Sequence, residues 1–221
     1  MAQPKAVSKW HLDHLIANVT IACSPAGPHL IGPTSQDDIF DALGSVALAI
    51  LQLHHKRLAL KYHLVVRMLQ IMLHVFVRTT PTCPGRIRSQ ISRPPPWLKT
   101  SCSALSAALF SRILAMWASP PSTTTWASKR PRLESNAAKT GKAVSKHIPW
   151  FMMEYVALAA EYPELVMEES VQKALAPGLY SLFSVLGTYE REMCMGALDG
   201  TGRGIFKGLW EEWNRFGRFV E

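Results

Sequence analysis

Residues 39–73 read IFDALGSVALAILQLHHKRLALKYHLVVRMLQIML. Ile39, Leu43, Val46, Ile50 and Leu53 recur at intervals of three and four, which gathers side chains on one helix face. Leu58, Val65, Met68, Leu69, Met72 and Phe76 continue the pattern after a bend near Leu60. A strand would show alternation with period two, and no such run occurs in the chain. The stretch therefore points to an all-α fold. Upstream, the Ser35 hydroxyl can cap the helix, and Asp37 and Asp38 lie at its positive end.

The pattern extends in both directions. Val7 to Ala22 is predicted as a helix with Trp10, Leu12, Leu15, Ile16 and Val19 on one broad face, stopped by Pro25, Pro28 and Pro33. A second helical region begins near Lys146, where Pro149 suits a first turn because it has no N–H to lose there. Pro177 predicts an interruption of "MEESVQKALAPGLYSLFSVLG", giving a bent helix or two short ones. Thr188, followed by Glu190 and Glu192, opens the next helix, and Gly200 to Gly204 reads as a linker. In the terminal helix Phe206, Leu209, Trp213, Phe216 and Val220 form a three-four seam, which places Trp213 and Phe216 inside. Residues 203–221 carry four bases and three acids, a balance unlike the cationic face of a membrane-surface helix or the basic surround of a stacking arm. Short loops and these lengths imply antiparallel helix packing.

Charge divides the chain. The formal net charge is +8, yet residues 78–147 hold twelve Lys/Arg against the single acid Glu134, a local +11. The same region contains "RPPPWL" and "SPPSTTTWASKRPRLESN", compositions too poor in apolar area to offset chain entropy. We therefore expect a helical block over residues 1–79 and another over 147–221. Between them, residues 80–146 should form a long disordered basic connector with one helix near 104–118. Lys129, Arg130 and Arg132, around Pro131, suit an extended peptide read by the nuclear import machinery. The connector's cations could also rest on rRNA phosphates, giving weak, salt-dependent contact without sequence preference.

Other classes of function find little support. The N-terminus has no secretory apolar core, and the apolar stretches are short or interrupted by Arg67, Gln70 and His74, so no membrane role is expected. Cys23, Cys83, Cys102 and Cys194 are widely spaced, which suggests reduced thiols and neither a zinc cluster nor a disulfide framework. His11 with His14, and His54, His55 and His63, lack a second ligand pair and read as surface or helix-junction residues. Glu168 with Glu169 and Glu190 with Glu192 fall in first turns, where the helix dipole favours acids. Phosphate-loop, nucleophile-elbow and metalloprotease motifs are missing from the sequence, so a non-enzyme without cofactor, metal or small-molecule substrate is expected.

Certain motifs carry a resemblance. His147, Pro149, Trp150, Met153, Glu154 and Tyr155, then Pro177, Gly178, Leu179 and Tyr180, are similar to the C-terminal domain of the nucleolar "unhealthy ribosome biogenesis protein", or nucleolar preribosomal-associated protein, family. Gly202, Arg203, Phe206, Lys207, Leu209, Trp210, Trp213, Phe216 and Gly217 resemble the family's last helix. The resemblance implies a repeat-like, armadillo- or HEAT-like helical bundle at the end of a longer protein. It implies a nucleolar scaffold for precursor-rRNA processing and early large-subunit assembly, with the pre-ribosomal particle and other nucleolar assembly proteins as partners. It brings no catalytic residues. Arg203, Lys207 and Trp210 lie off the apolar seam and are the expected partner surface.

Overall fold

The computed structural model describes residues 9–29, 34–58, 60–77, 94–119, 142–160 and 167–217, and every regular element among them is helical. The elements are α1 (Lys9–Ala22), α2 (Gln36–Leu58), α3 (Tyr62–Leu73) with a 3-10 turn at His74–Phe76, and α4 (Ala104–Ala118). They continue with α5 (Ile148–Ala160), α6 (Glu169–Val185), α7 (Thr188–Ala197) and α8 (Gly200–Phe216).

α2 begins where its cap predicts: the Asp37 N–H donates to the Ser35 hydroxyl at 3.3 Å. Asp37 does more than face the helix dipole. Its carboxylate accepts from the Ser103 N–H and the Ser106 hydroxyl, both at 2.8 Å, tying the start of α2 to the start of α4. Further along, Asp41 accepts from the same Ser106 hydroxyl at 3.0 Å, and Gly44 packs on Leu109. Residue numbers thus rise together along α2 and α4. They also rise together along α3 and α5, in the pairs Tyr62–His147, Gln70–Trp150 and His74–Glu154. α2 and α3 instead turn back on each other, bringing Phe40 within 4.9 Å of Phe76. The packing is therefore parallel between α2 and α4 and between α3 and α5, while α1 lies against both α2 and α3.

One apolar core runs from Leu12 in α1 to Phe206 in α8. α4 lies at its centre, with Phe110, Ile113, Leu114 and Trp117 buried, α2 on one side and α6 on the other. The bounds of α4 agree with the sequence reading, and its 15 residues carry one charge, Arg112. Rings connect the layers: Phe76 to Phe110 at 5.5 Å, Phe110 to Phe151 at 6.3 Å, and Trp117 to Phe151 at 6.3 Å. The segment after residue 93 is anchored too. Trp97 Nε1 donates to the Ala22 carbonyl at 2.7 Å, and the Cys102 N–H donates to Val75 O at 3.0 Å.

Several expectations need correction. In α1 the buried line is Leu12, Ile16 and Val19, continued by Cys23 just beyond it, whereas Trp10 is 66% exposed and Leu15 is exposed. In α2 the buried face is Phe40, Ala47, Ile50, Leu51 and Leu58, whereas Val46 is exposed and Leu53 is 74% exposed. Phe40, wedged between Phe76 and Phe110, fixes the rotation of α2 and turns those two aliphatics outward. Pro177 does not split α6 into two short helices: the helix runs from Glu169 to Val185 with Pro177 facing solvent, where water can replace the lost backbone bond. The glycines after residue 199 are not a linker but the first turns of α8, capped by Asp199 accepting from the Gly202 N–H at 2.7 Å. Finally, Phe216 is 63% exposed on the last turn of α8.

Candidate functional site

The terminal helix is set by four contacts. Besides the Asp199 cap, Arg203 Nε donates to Leu198 O at 2.8 Å, closing the junction between α7 and α8. Gly202 is buried, and a Cβ there would lie 3.2 Å from both Val156 and Leu198 side-chain carbons, so α8 sits close on α5. Phe206 then packs on Phe183 at 5.6 Å.

The expected surface residues divide between two roles. Arg203 and Lys207 are exposed and one helical turn apart. Trp210 turns toward the core, edge-on to Phe183 at 5.5 Å and 4.7 Å from the Trp213 ring. The Arg191 guanidinium lies 4.8 Å over the Trp210 ring, a cation–π contact that the sequence reading missed. Thus Trp210 is a half-buried base for a basic step formed by Arg203, Lys207 and, from α7, Arg191. Beyond them, a Cβ on Gly204 or Gly208 would meet nothing within 4 Å, leaving the outer backbone of α8 bare. Lys129, Arg130 and Arg132 lie outside the described residues.

A second polar seam joins α3 and α5. His74 Nε2 lies 2.7 Å from Glu154 Oε1, and the Gln70 amide donates to the Trp150 carbonyl at 2.9 Å. His147 sits against Tyr62 at 6.0 Å between ring centres. Burial, and then the charges of His63 and Lys146, hold its pKa below the ordinary histidine value. Sequence reasoning did not find this seam, although His63 with Arg67, and Lys146 with Trp150, each stand four residues apart.

Several other chemistry-bearing groups are buried or have a neighbouring partner. Burial pushes the thiols of Cys23 and Cys194 up to about 12 and raises Cys102 as well, conditions under which a thiol stays protonated and inert. Burial, with Glu212 and Tyr180 nearby, raises the Tyr155 hydroxyl to about 12. His14 lies 3.9 Å from the Trp10 ring, and Lys61 pairs with Asp13. Among the described residues, no three His, Cys, Asp or Glu side chains gather in a form able to hold a metal ion. Nor is any described helix long and apolar enough to cross a membrane.

No curated protein and no solved structure matches the chain. A family model does, from the first residue to the last: the one described as the Urb2/Npa2 family matches residues 1–221. It is the nucleolar ribosome biogenesis family that the motifs of α5, α6 and α8 resemble. The chain belongs to the Urb2/Npa2 family of ribosome biogenesis proteins.

Proposed function

We propose that the chain is a non-catalytic, repeat-like scaffold of the nucleolus. It supports precursor-rRNA processing and early assembly of the large ribosomal subunit by docking on other assembly proteins. The observation that carries this reading is the family match over residues 1–221. Supporting it is the layering of the helices, in which α4 runs alongside α2 and α5 alongside α3 in the same direction, as successive elements of a solenoid do. The docking surface is the basic step of Arg203, Lys207 and Arg191, with Trp210 beneath it. Import depends on Lys129, Arg130 and Arg132, and replacing all three by Ala should leave a fluorescent fusion in the cytoplasm. Unchanged nuclear accumulation would contradict that assignment.

A second reading, direct RNA binding through the basic connector, is favoured by the local +11 of residues 78–147. Depletion and rescue separate the two. On the scaffold reading, Arg203→Glu with Lys207→Glu fails to restore large-subunit rRNA precursors to maturation. Rescue by that variant, and failure of a chain whose connector cations alone are neutralised, would favour RNA binding.

A further inference from the structure

We infer that the seam between α3 and α5 is a single-stranded RNA contact, with the Trp150 indole as stacking surface and Arg67 and Lys146 on the flanking phosphates. The two helices are held in register by the Gln70–Trp150 and His74–Glu154 contacts, at 2.9 and 2.7 Å. That register brings Arg67, three residues before Gln70, toward the start of α5, where Lys146 and His147 precede Trp150. His63, a further turn back, is near enough to disfavour the charge of His147.

The core does not use Trp150. It is 55% exposed, while Phe151, Met152, Tyr155 and Val156 on the same helix are buried. Arg67 and Lys146 are exposed, and neither forms an ion pair among the described residues. Of the acids near this seam, Glu154 is engaged by His74, and Glu190 reaches the turn before Lys146 at the Ser145 hydroxyl, 3.5 Å away.

An accessible indole among uncompensated cations is how single strands are held without regard to sequence. A base stacks on the ring, and the cations displace counterions from the backbone. A duplex fits poorly, because its bases are already stacked on one another. An acidic peptide would satisfy the cations and leave the indole idle, so the exposed ring decides for RNA. The contact goes beyond the protein-docking reading of α8 and uses a different surface.

The test is fluorescence anisotropy of a fluorescein-labelled single-stranded oligouridine with the full chain, each variant first checked by a circular-dichroism melt. Trp150→Ala should weaken binding about tenfold, and Trp150→Phe, which keeps a ring, should recover most of it. Arg67→Glu with Lys146→Glu should weaken binding and lower the slope of log K against log salt by about 0.7 per lost phosphate contact. A thiouridine-substituted oligonucleotide should cross-link to the peptide holding Trp150. Three results would each overturn the proposal: unchanged affinity in both the Trp150→Ala and charge-reversed chains, cross-links only outside α3 and α5, or tighter binding of a polyglutamate peptide. The last would mark the seam as a site for an acidic protein. Because no protein partner is present, failure here would leave the α8 reading standing.

Discussion

At the scale of single residues, Gly178 marks the close crossing of α4 and α6. Its N–H donates to the Ser111 hydroxyl at 2.7 Å, and a Cβ on it would stand 2.7 Å from Ser111 O and 2.8 Å from Ser111 Cα. Backbone cannot retreat as a flexible side chain can, so Gly178→Ala should destabilise the chain by about 1–3 kcal/mol in urea unfolding. Ser111→Ala should cost about 0.5–1.5 kcal/mol by a different route, removing the hydroxyl that accepts from the buried Gly178 N–H. Equal stability of both variants and the wild type would contradict the close crossing of α4 and α6. The titratable groups add a pH dependence of definite sign. His147 is held below its ordinary value, first by burial and then by His63 and Lys146, so the unfolded chain takes up a proton more readily. Stability should therefore fall as pH drops below about 6.5, and His147→Gln should flatten the melting temperature over that window. Asp37 acts lower down: burial raises its pKa, but the Ser103 and Ser106 hydrogen bonds outweigh burial and the net shift is downward. Its contribution is present above about pH 4 and is lost as pH falls through the folded value.

At the scale of elements, helix identity was legible and helix rotation was not. Spacing, caps and breakers located α4 to the residue and placed the start of α2 beside Ser35, because those signals are local. Which apolar residues face inward depends on neighbours far away in sequence. Phe40 orients α2 through Phe76 and Phe110, and no window around Leu53 contains that information. α8 shows the same limit at its end, where the seam is correct at Phe206 and half-buried at Trp213, but open at Phe216. Phe206→Ala should accordingly cost about 3–5 kcal/mol, whereas Phe216→Ala should stay within about 0.5 kcal/mol. Comparable losses would mean that α8 closes on the core along its whole length. The bare outer glycines give an opposite prediction: Gly204→Ala and Gly208→Ala should each stabilise the chain by about 0.5–1 kcal/mol, since neither Cβ meets a neighbour.

At the scale of the whole molecule, composition placed α4 among the basic, proline-rich residues, and packing makes it the element both helical regions share. The flanks of α4 dominate a compositional average, while its own apolar residues determine where it sits. The family motifs were legible because they lie in α5, α6 and α8, whereas the α3–α5 seam required two helices that 74 residues of chain separate. A core continuous from Leu12 to Phe206 predicts one cooperative transition in denaturant, coincident by tryptophan fluorescence and circular dichroism, in the wild type and in Trp117→Ala at lower denaturant. Two separated transitions would mean that the regions fold apart. The central claim is that this body reaches the precursor of the large subunit through the exposed basic step of α8. Sucrose-gradient sedimentation of cell extracts tests it most directly, comparing the wild type with an Arg203→Glu, Lys207→Glu chain shown to melt normally. The wild type should travel with large-subunit precursor particles and the variant should remain near the top of the gradient. A folded variant that sediments with the particles as the wild type does would contradict the account.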